Sequence, residues 1–166
     1  MSRMKVFLSV TAATLAAICF WSCSDTCTEN RNALPLVGFY LAGDNGVKIS
    51  VDSLTVRGIG APEDSILSQS SSPISELYLP FRIDSDTTEY IFTRNHEGIL
   101  RETLVRFIYS RTPRFVSAEC GVSYIFGISD IQCSGNLIDS VVCPQGFIDN
   151  KNQENLKVYF SNVANQ

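Results

Sequence analysis

The chain has 166 residues, with 13 basic against 17 acidic side chains, 45% apolar residues, six cysteines and one histidine. That is one domain's worth of chain, the apolar share supplies a core and excludes wholesale disorder, and the acidic balance argues against nucleic-acid binding. Without residues 1–22, which hold Arg3, Lys5 and no acid, 11 basic groups face 17 acidic ones, a net charge of −6.

Arg3 and Lys5 lead into an uncharged stretch, Val6 to Trp21, that ends at Ser22-Cys23. A membrane span needs about 20 apolar residues, and here the polar run SDTCTENRN follows at once, without a basic stop. Residues 1–22 are therefore expected to be a signal peptide. Ser22 before Cys23 looks like a bacterial lipobox, so Cys23 is expected to be acylated and residues 23–33 to form the tether. Ser24-Asp25 resembles the short acidic export tag of Bacteroidota surface lipoproteins. The expected address is the outer membrane, on its surface or periplasmic face.

Beyond the tether the apolar pattern has period two, which reads as strands. In chain order they are expected at 35–41, 47–51, 54–59, 77–83, 88–93, 104–109, 114–120, 122–128, 137–142 and 156–160. The apolar set moves from odd to even numbers between Val51 and Leu54, which calls for a bulge or turn at Asp52-Ser53. Turn chemistry at Asp44-Asn45-Gly46, Asn95 to Gly98, Thr112-Pro113, Ser134-Gly135-Asn136 and Pro144-Gln145-Gly146 separates most runs. Only 63–68 and 97–104 have room for a turn or two of helix, and 68–73 is Ser-rich loop. The expected fold is all-β, an antiparallel sandwich of eight or nine strands, immunoglobulin-like or transthyretin-like in general architecture. One domain is expected over 34–162, with a tail at 163–166.

With Cys23 acylated, Cys27, Cys120, Cys133 and Cys143 remain in a compartment that permits disulfides. Four cysteines allow three pairings. Cys120 ends an inward-facing alternation with Val116 and Ala118, and Cys27 begins the domain, so joining them would pin the N-terminal segment to the sheet. Cys133 and Cys143 are the possible second pair. If 134–136 is a hairpin turn, however, an extended 137–143 carries Cys143 about 20 Å away.

The segments CTENRNALPLVGFY, SLTVRGIGAPEDSIL, ISELYLPFR and SAECG resemble an uncharacterised family of small Bacteroidota lipoproteins, over about residues 27–162. Gly58-Ile59-Gly60, Leu79-Pro80 and Glu119-Cys120-Gly121 are the most specific parts. The resemblance supports the pairing of Cys27 with Cys120 and brings no activity with it.

No catalytic constellation is visible. His96 is the only imidazole, in a turn, and a hydrolase would need a pocket joining it to an acid and a hydroxyl. Zinc would need clustered thiolates or histidines, and Asp84-Ser85-Asp86 lacks the following Gly and Glu of a calcium loop, so no metal and no cofactor is expected. Asp139 inside LIDSVV and Glu119 beside Cys120 are read as carboxylates that cap backbone amides. Tyr40, Tyr78, Tyr90, Tyr109, Tyr124 and Tyr159 are mostly expected in a half-buried core, and an exposed row on one face would instead mark a glycan-binding module. Asp-Ser or Asp-Thr before an apolar residue or Thr recurs at Ser53, Ser65, Thr87 and Ser140, the motif of Bacteroidota O-glycosylation, with Ser65 and Thr87 expected in reach and Ser140 buried. The function expected is a non-catalytic binding or assembly module, held to the membrane through Cys23, with an envelope protein or glycan as partner. A glycan-binding adhesive module is the main alternative and a hydrolase the lesser one.

Overall fold

The computed structural model describes residues 34–43, 46–60, 65–118, 120–149, 151 and 153–161. The expected signal peptide, Cys23, Cys27, the turn residues Asp44 and Asn45, Glu119 and the tail lie outside the described residues. The described chain is all-β, ten strands in two sheets. Strands β1 (Leu36–Leu41), β4 (Glu76–Tyr78), β8 (Ile138–Val142) and β10 (Glu154–Phe160) form one sheet, in the order β4-β1-β10-β8. Strands β2 (Leu54–Gly58), β3 (Ile66–Ser70), β5 (Thr87–His96), β6 (Ile99–Ser117), β7 (Gly121–Gly135) and β9 (Phe147–Ile148) form the other, in the order β3-β2-β5-β6-β7-β9.

The two inner faces are the alternating apolar sets of the sequence. Val37 and Phe39 meet Leu156, Val158 and Phe160 from one sheet, and Leu54, Val56, Phe92, Val105, Phe107 and Phe126 face them from the other, all fully buried. Phe39 and Phe160 pack edge to face at 5.2 Å, an arrangement favoured by the ring quadrupoles. Phe81 lies 5.0 Å from Phe107, 4.9 Å from Tyr109 and 5.5 Å from Phe126. It belongs to the segment 79–84, which leaves β4 and runs across the sandwich without pairing as a strand.

Several expectations are corrected. The run 77–83 is strand only as far as Tyr78: Leu79 and Phe81 point into the core as the alternation requires, but Ile83 is exposed. Residues 47–51 make only isolated bridges, Lys48 with Tyr40 and Val51 with Ile74. The stretch 66–70 is the edge strand β3, not helix or loop, and it pairs with β2. No helix forms at 97–104 either. Glu97 and Gly98 both have positive φ, 51° and 80°, and make the two-residue primed turn that joins β5 to β6. Thr112-Pro113 is not a turn; both residues lie within β6. β5 begins opposite Ile108, so Pro113 has a partner strand on one side only, through Tyr124, and a missing N–H is tolerated at such an edge.

The bend at Asp52-Ser53 is present, with Ser53 at φ 52° between buried Val51 and Leu54. One pairing breaks the antiparallel rule: β1 and β10 run parallel, Phe39 beside Val158.

Candidate functional site

A cleft of about 250 Å³ lies between the end of β2, the start of β3 and the segment Pro80 to Asp84. Ile59, Leu67, Pro80 and Tyr90 give it apolar walls, while Arg82, Asp84 and Glu89 stand among them. Gly60 has φ +69°, a conformation that side chains disfavour. The turn is fixed to the sheet by Ile59 N donating to Glu89 O at 2.9 Å and by Gly58 N donating to Ser65 O at 3.2 Å.

Hydroxyl groups tie down the opposite wall. Tyr90 OH donates to the Pro80 carbonyl, and Tyr109 OH donates to Arg82 O at 2.8 Å. Arg82 N donates to Thr88 Oγ1 at 3.0 Å, and Thr88 in turn reaches Tyr109 OH at 2.6 Å. Thr88, Tyr90 and Tyr109 are all buried, and burial raises the pKa of both phenols above the usual tyrosine value, so they stay protonated donors.

The ionisable groups around the cleft are paired. Arg82 clasps Asp84 with two bonds, Nε to Oδ1 at 3.0 Å and Nη2 to Oδ2 at 2.9 Å, and holds its carboxyl below the ordinary range. Glu89 meets Arg106, and Asp86 meets Arg111 Nη2 at 2.8 Å. Asp84-Ser85-Asp86 therefore presents two neutralised carboxylates, and no cluster of three metal-ligating side chains occurs among the described residues.

His96 ends β5 with Nδ1 3.5 Å from Asp52 Oδ1. The same oxygen accepts from Arg94 Nη2 at 2.6 Å, and Arg94 Nε reaches Asp52 O and Oδ1 at 3.2 Å each. Arg94 is buried, and its hydrogen bond holds the Asp52 carboxyl below the usual value. The acid that a catalytic triad would use to orient its histidine is thus committed to a guanidinium. His96 is expected in a turn and instead closes a strand, and its pairing is not legible in the sequence, because Asp52 meets residues 94 and 96 only through the pairing of β2 with β5.

Of the tyrosines, Tyr90 and Tyr109 are core, and Tyr124 packs against its edge. Tyr40, Tyr78 and Tyr159 share the outer face of the four-stranded sheet, where Tyr40 pairs across with Tyr159 and Leu36 with Tyr78. The rings of Tyr40 and Tyr159 lie 5.7 Å apart, tilted by 38°, and Lys157 Nζ lies 4.9 Å over the Tyr40 ring. Tyr40 OH donates to Glu154 Oε1 at 2.6 Å, which pushes its pKa up to about 12. Tyr78 is 47% exposed.

Asp139 is exposed and accepts from Ser140 Oγ at 3.0 Å rather than capping a backbone amide. Ser65 and Thr87 are exposed, although Thr87 opens β5 instead of lying in a loop; Ser53 and Ser140 are half-buried. Among the described residues no two cysteines are bridged. Cys133 and Cys143 are free thiols, and burial raises the pKa of each. The chain crosses between sheets after β7, so the two do not face one another in a hairpin: Cys133 meets the backbone of Val141, and Cys143 Sγ points to Phe147 O at 3.7 Å. Cys120 is disulfide-bonded, and its partner is not among the described cysteines.

A family model for a family of unknown function, DUF6452, matches residues 53–160. The chain belongs to this family. The DUF6452 match runs from β2 to β10 and takes in the whole cleft, both arginine-paired aspartates of 84–86 and the β6–β7 hairpin. No curated protein and no solved structure matches the chain.

Proposed function

We propose that this chain is a lipid-anchored cell-envelope protein of the outer membrane, exported by residues 1–22, acylated on Cys23 and acting as a non-catalytic binding or assembly module. The observation that carries the binding half is the cleft. Its walls are held by buried hydroxyls and its charges are paired, so it is built to receive a group in a fixed shape rather than to move protons. The envelope half rests on the charge pattern of residues 3–21, the Ser22-Cys23 junction and the resemblance to Bacteroidota lipoproteins. Cys27 is the proposed partner of Cys120.

The test is a crosslinked pull-down from intact outer membranes. Ile59→Arg, which fills the cleft mouth, is expected to lose the crosslinked partner without changing the melting temperature; retention of the partner would remove the cleft from the reading. Cys23→Ala is expected to move the protein from the detergent to the aqueous phase, since two or more acyl chains give stable attachment. Unchanged partitioning would reject the anchor.

The second reading is a glycan-binding module that uses the outer face of the four-stranded sheet, where Tyr78 is exposed and Tyr159 half-buried while Tyr40 is buried. We further propose O-glycosylation at one or more of Ser53, Ser65, Thr87 and Ser140, first of all at the exposed Ser65 and Thr87. A native mass equal to polypeptide plus lipid would refute it.

A further inference from the structure

The β6–β7 hairpin outruns the rest of the fold. β5 leaves β6 at Ile108, and β9 pairs with β7 only at Phe126 and Gly127. Beyond these points Thr112–Ser117 and Gly121–Ile125 pair only with each other among the described residues, a two-stranded ribbon about 20 Å long at 3.3 Å per residue. The face that carries Phe107, Tyr109 and Phe126 in the core continues onto it. There it bears Phe115 and Val122, paired directly across the strands, 69% and 47% exposed. Phe115 is the most exposed large apolar side chain described. Arg114 beside it is exposed and makes no ion pair among the described residues, while Glu119 follows in the sequence, so the net charge of this stretch is small and the apolar pair dominates.

The ribbon tip also bears Cys120, which is disulfide-bonded. With Cys27 as its partner, Cys23 lies four Cα steps along the chain from the bridge. Four extended residues span at most about 14 Å, and a disulfide adds about 6 Å between Cα atoms.

We propose that the tip of the β6–β7 ribbon lies in the bilayer interface beside the acyl anchor, with Phe115 and Val122 as its inserted pair. This rests on the anchored reading above and deepens it, since acyl chain and ribbon together fix which end of the sandwich meets the lipid. The long axis of β6 then stands away from the membrane. Leu100, 64% exposed at the opposite end, is carried about 50 Å out.

The only tryptophan of the chain is Trp21, within the leader, so the processed protein accepts a single-tryptophan reporter at either end. Phe115→Trp and Leu100→Trp, both at exposed positions, are purified as acylated protein and mixed with phosphatidylethanolamine and phosphatidylglycerol vesicles with or without brominated acyl chains. Flotation is scored in the same samples. The tryptophan at 115 is expected to shift to the blue and lose about twofold or more of its emission to the brominated lipid, because an interfacial side chain sits about 5–10 Å into the headgroup and acyl boundary. The reporter at 100 is expected to be unaffected.

Floating protein with unquenched emission at 115 would overturn the inference and leave the anchor standing. A blue shift without quenching would overturn it too, by showing that protein, a second copy included, covers the patch. Equal quenching at both positions would overturn the orientation. Protein that fails to float would refute the anchor reading and this inference with it.

Discussion

Thr103 shows how one side chain connects the two sheets. It is fully buried near the start of β6, and its Oγ1 accepts from Leu137 N at 2.9 Å and from Ile138 N at 3.0 Å. These are the amides of the chain as it leaves β7 in one sheet to begin β8 in the other. Gly135, just before them, leaves no room for a side chain: a Cβ would lie 2.1 Å from Glu102 O. Thr103→Val keeps the shape and removes the acceptor, so two buried N–H groups lose their partner. The expected cost is about 2–4 kcal/mol, seen as a melting temperature lower by roughly 10 °C. Thr103→Ser should recover most of it, and a Val variant as stable as the parent would mean that another acceptor serves those amides. The sequence gives no sign of this role, because a threonine on the inner face of a strand reads only as a small break in an apolar alternation.

At the scale of elements, what was legible depended on whether burial alone decided the outcome. Leu156, Val158 and Phe160, or Val105, Phe107 and Tyr109, alternate cleanly because each strand has one face in the core. β3 was missed because as an edge strand, with Ile66 exposed and only one partner, it has no buried face to write such a pattern. The 97–104 stretch has helix-forming composition, but pairing with β5 on one side and β7 on the other overrides it. Of the cleft, the Gly58-Ile59-Gly60 turn and Leu79-Pro80 were visible in sequence as specific segments. The hydroxyl ties among Thr88, Tyr109 and Arg82 were not, because they join residues 6 to 27 positions apart through tertiary contact. Those ties make a prediction for the segment 79–84. Tyr109→Phe removes the donor to Arg82 O and leaves Thr88 without its phenol, at about 1–3 kcal/mol. Amide exchange at Arg82 should quicken relative to that at Ile59, whose bond to Glu89 O is untouched. Equal protection of Arg82 in the variant would show that the segment is held without the Tyr109 hydroxyl.

For the whole molecule the question is how a single sandwich is closed at its ends. The parallel pair of β1 and β10 brings the first and last strands together in the four-stranded sheet, with Leu36 N also donating to Asn155 Oδ1 at 3.2 Å. The ribbon tip lies on the other sheet, beyond the last neighbour of β6 and β7. A bridge from Cys27 to Cys120 would therefore tie the start of the domain to an element that the core does not hold. In the chain-entropy picture, closing a loop of about 90 residues stabilises by roughly 4–5 kcal/mol. Peptide mapping without reduction is expected to join the Cys27 and Cys120 peptides and to leave Cys133 and Cys143 alkylated as free thiols. Reduction is expected to lower the melting temperature by roughly 10 °C or more, and Cys27→Ser should match reduced protein, since Cys133 and Cys143, the other described cysteines, are free thiols. A Cys120 peptide joined to Cys23 instead would remove the acylation site as well as the pairing, because one sulfur cannot carry both a lipid thioether and a disulfide.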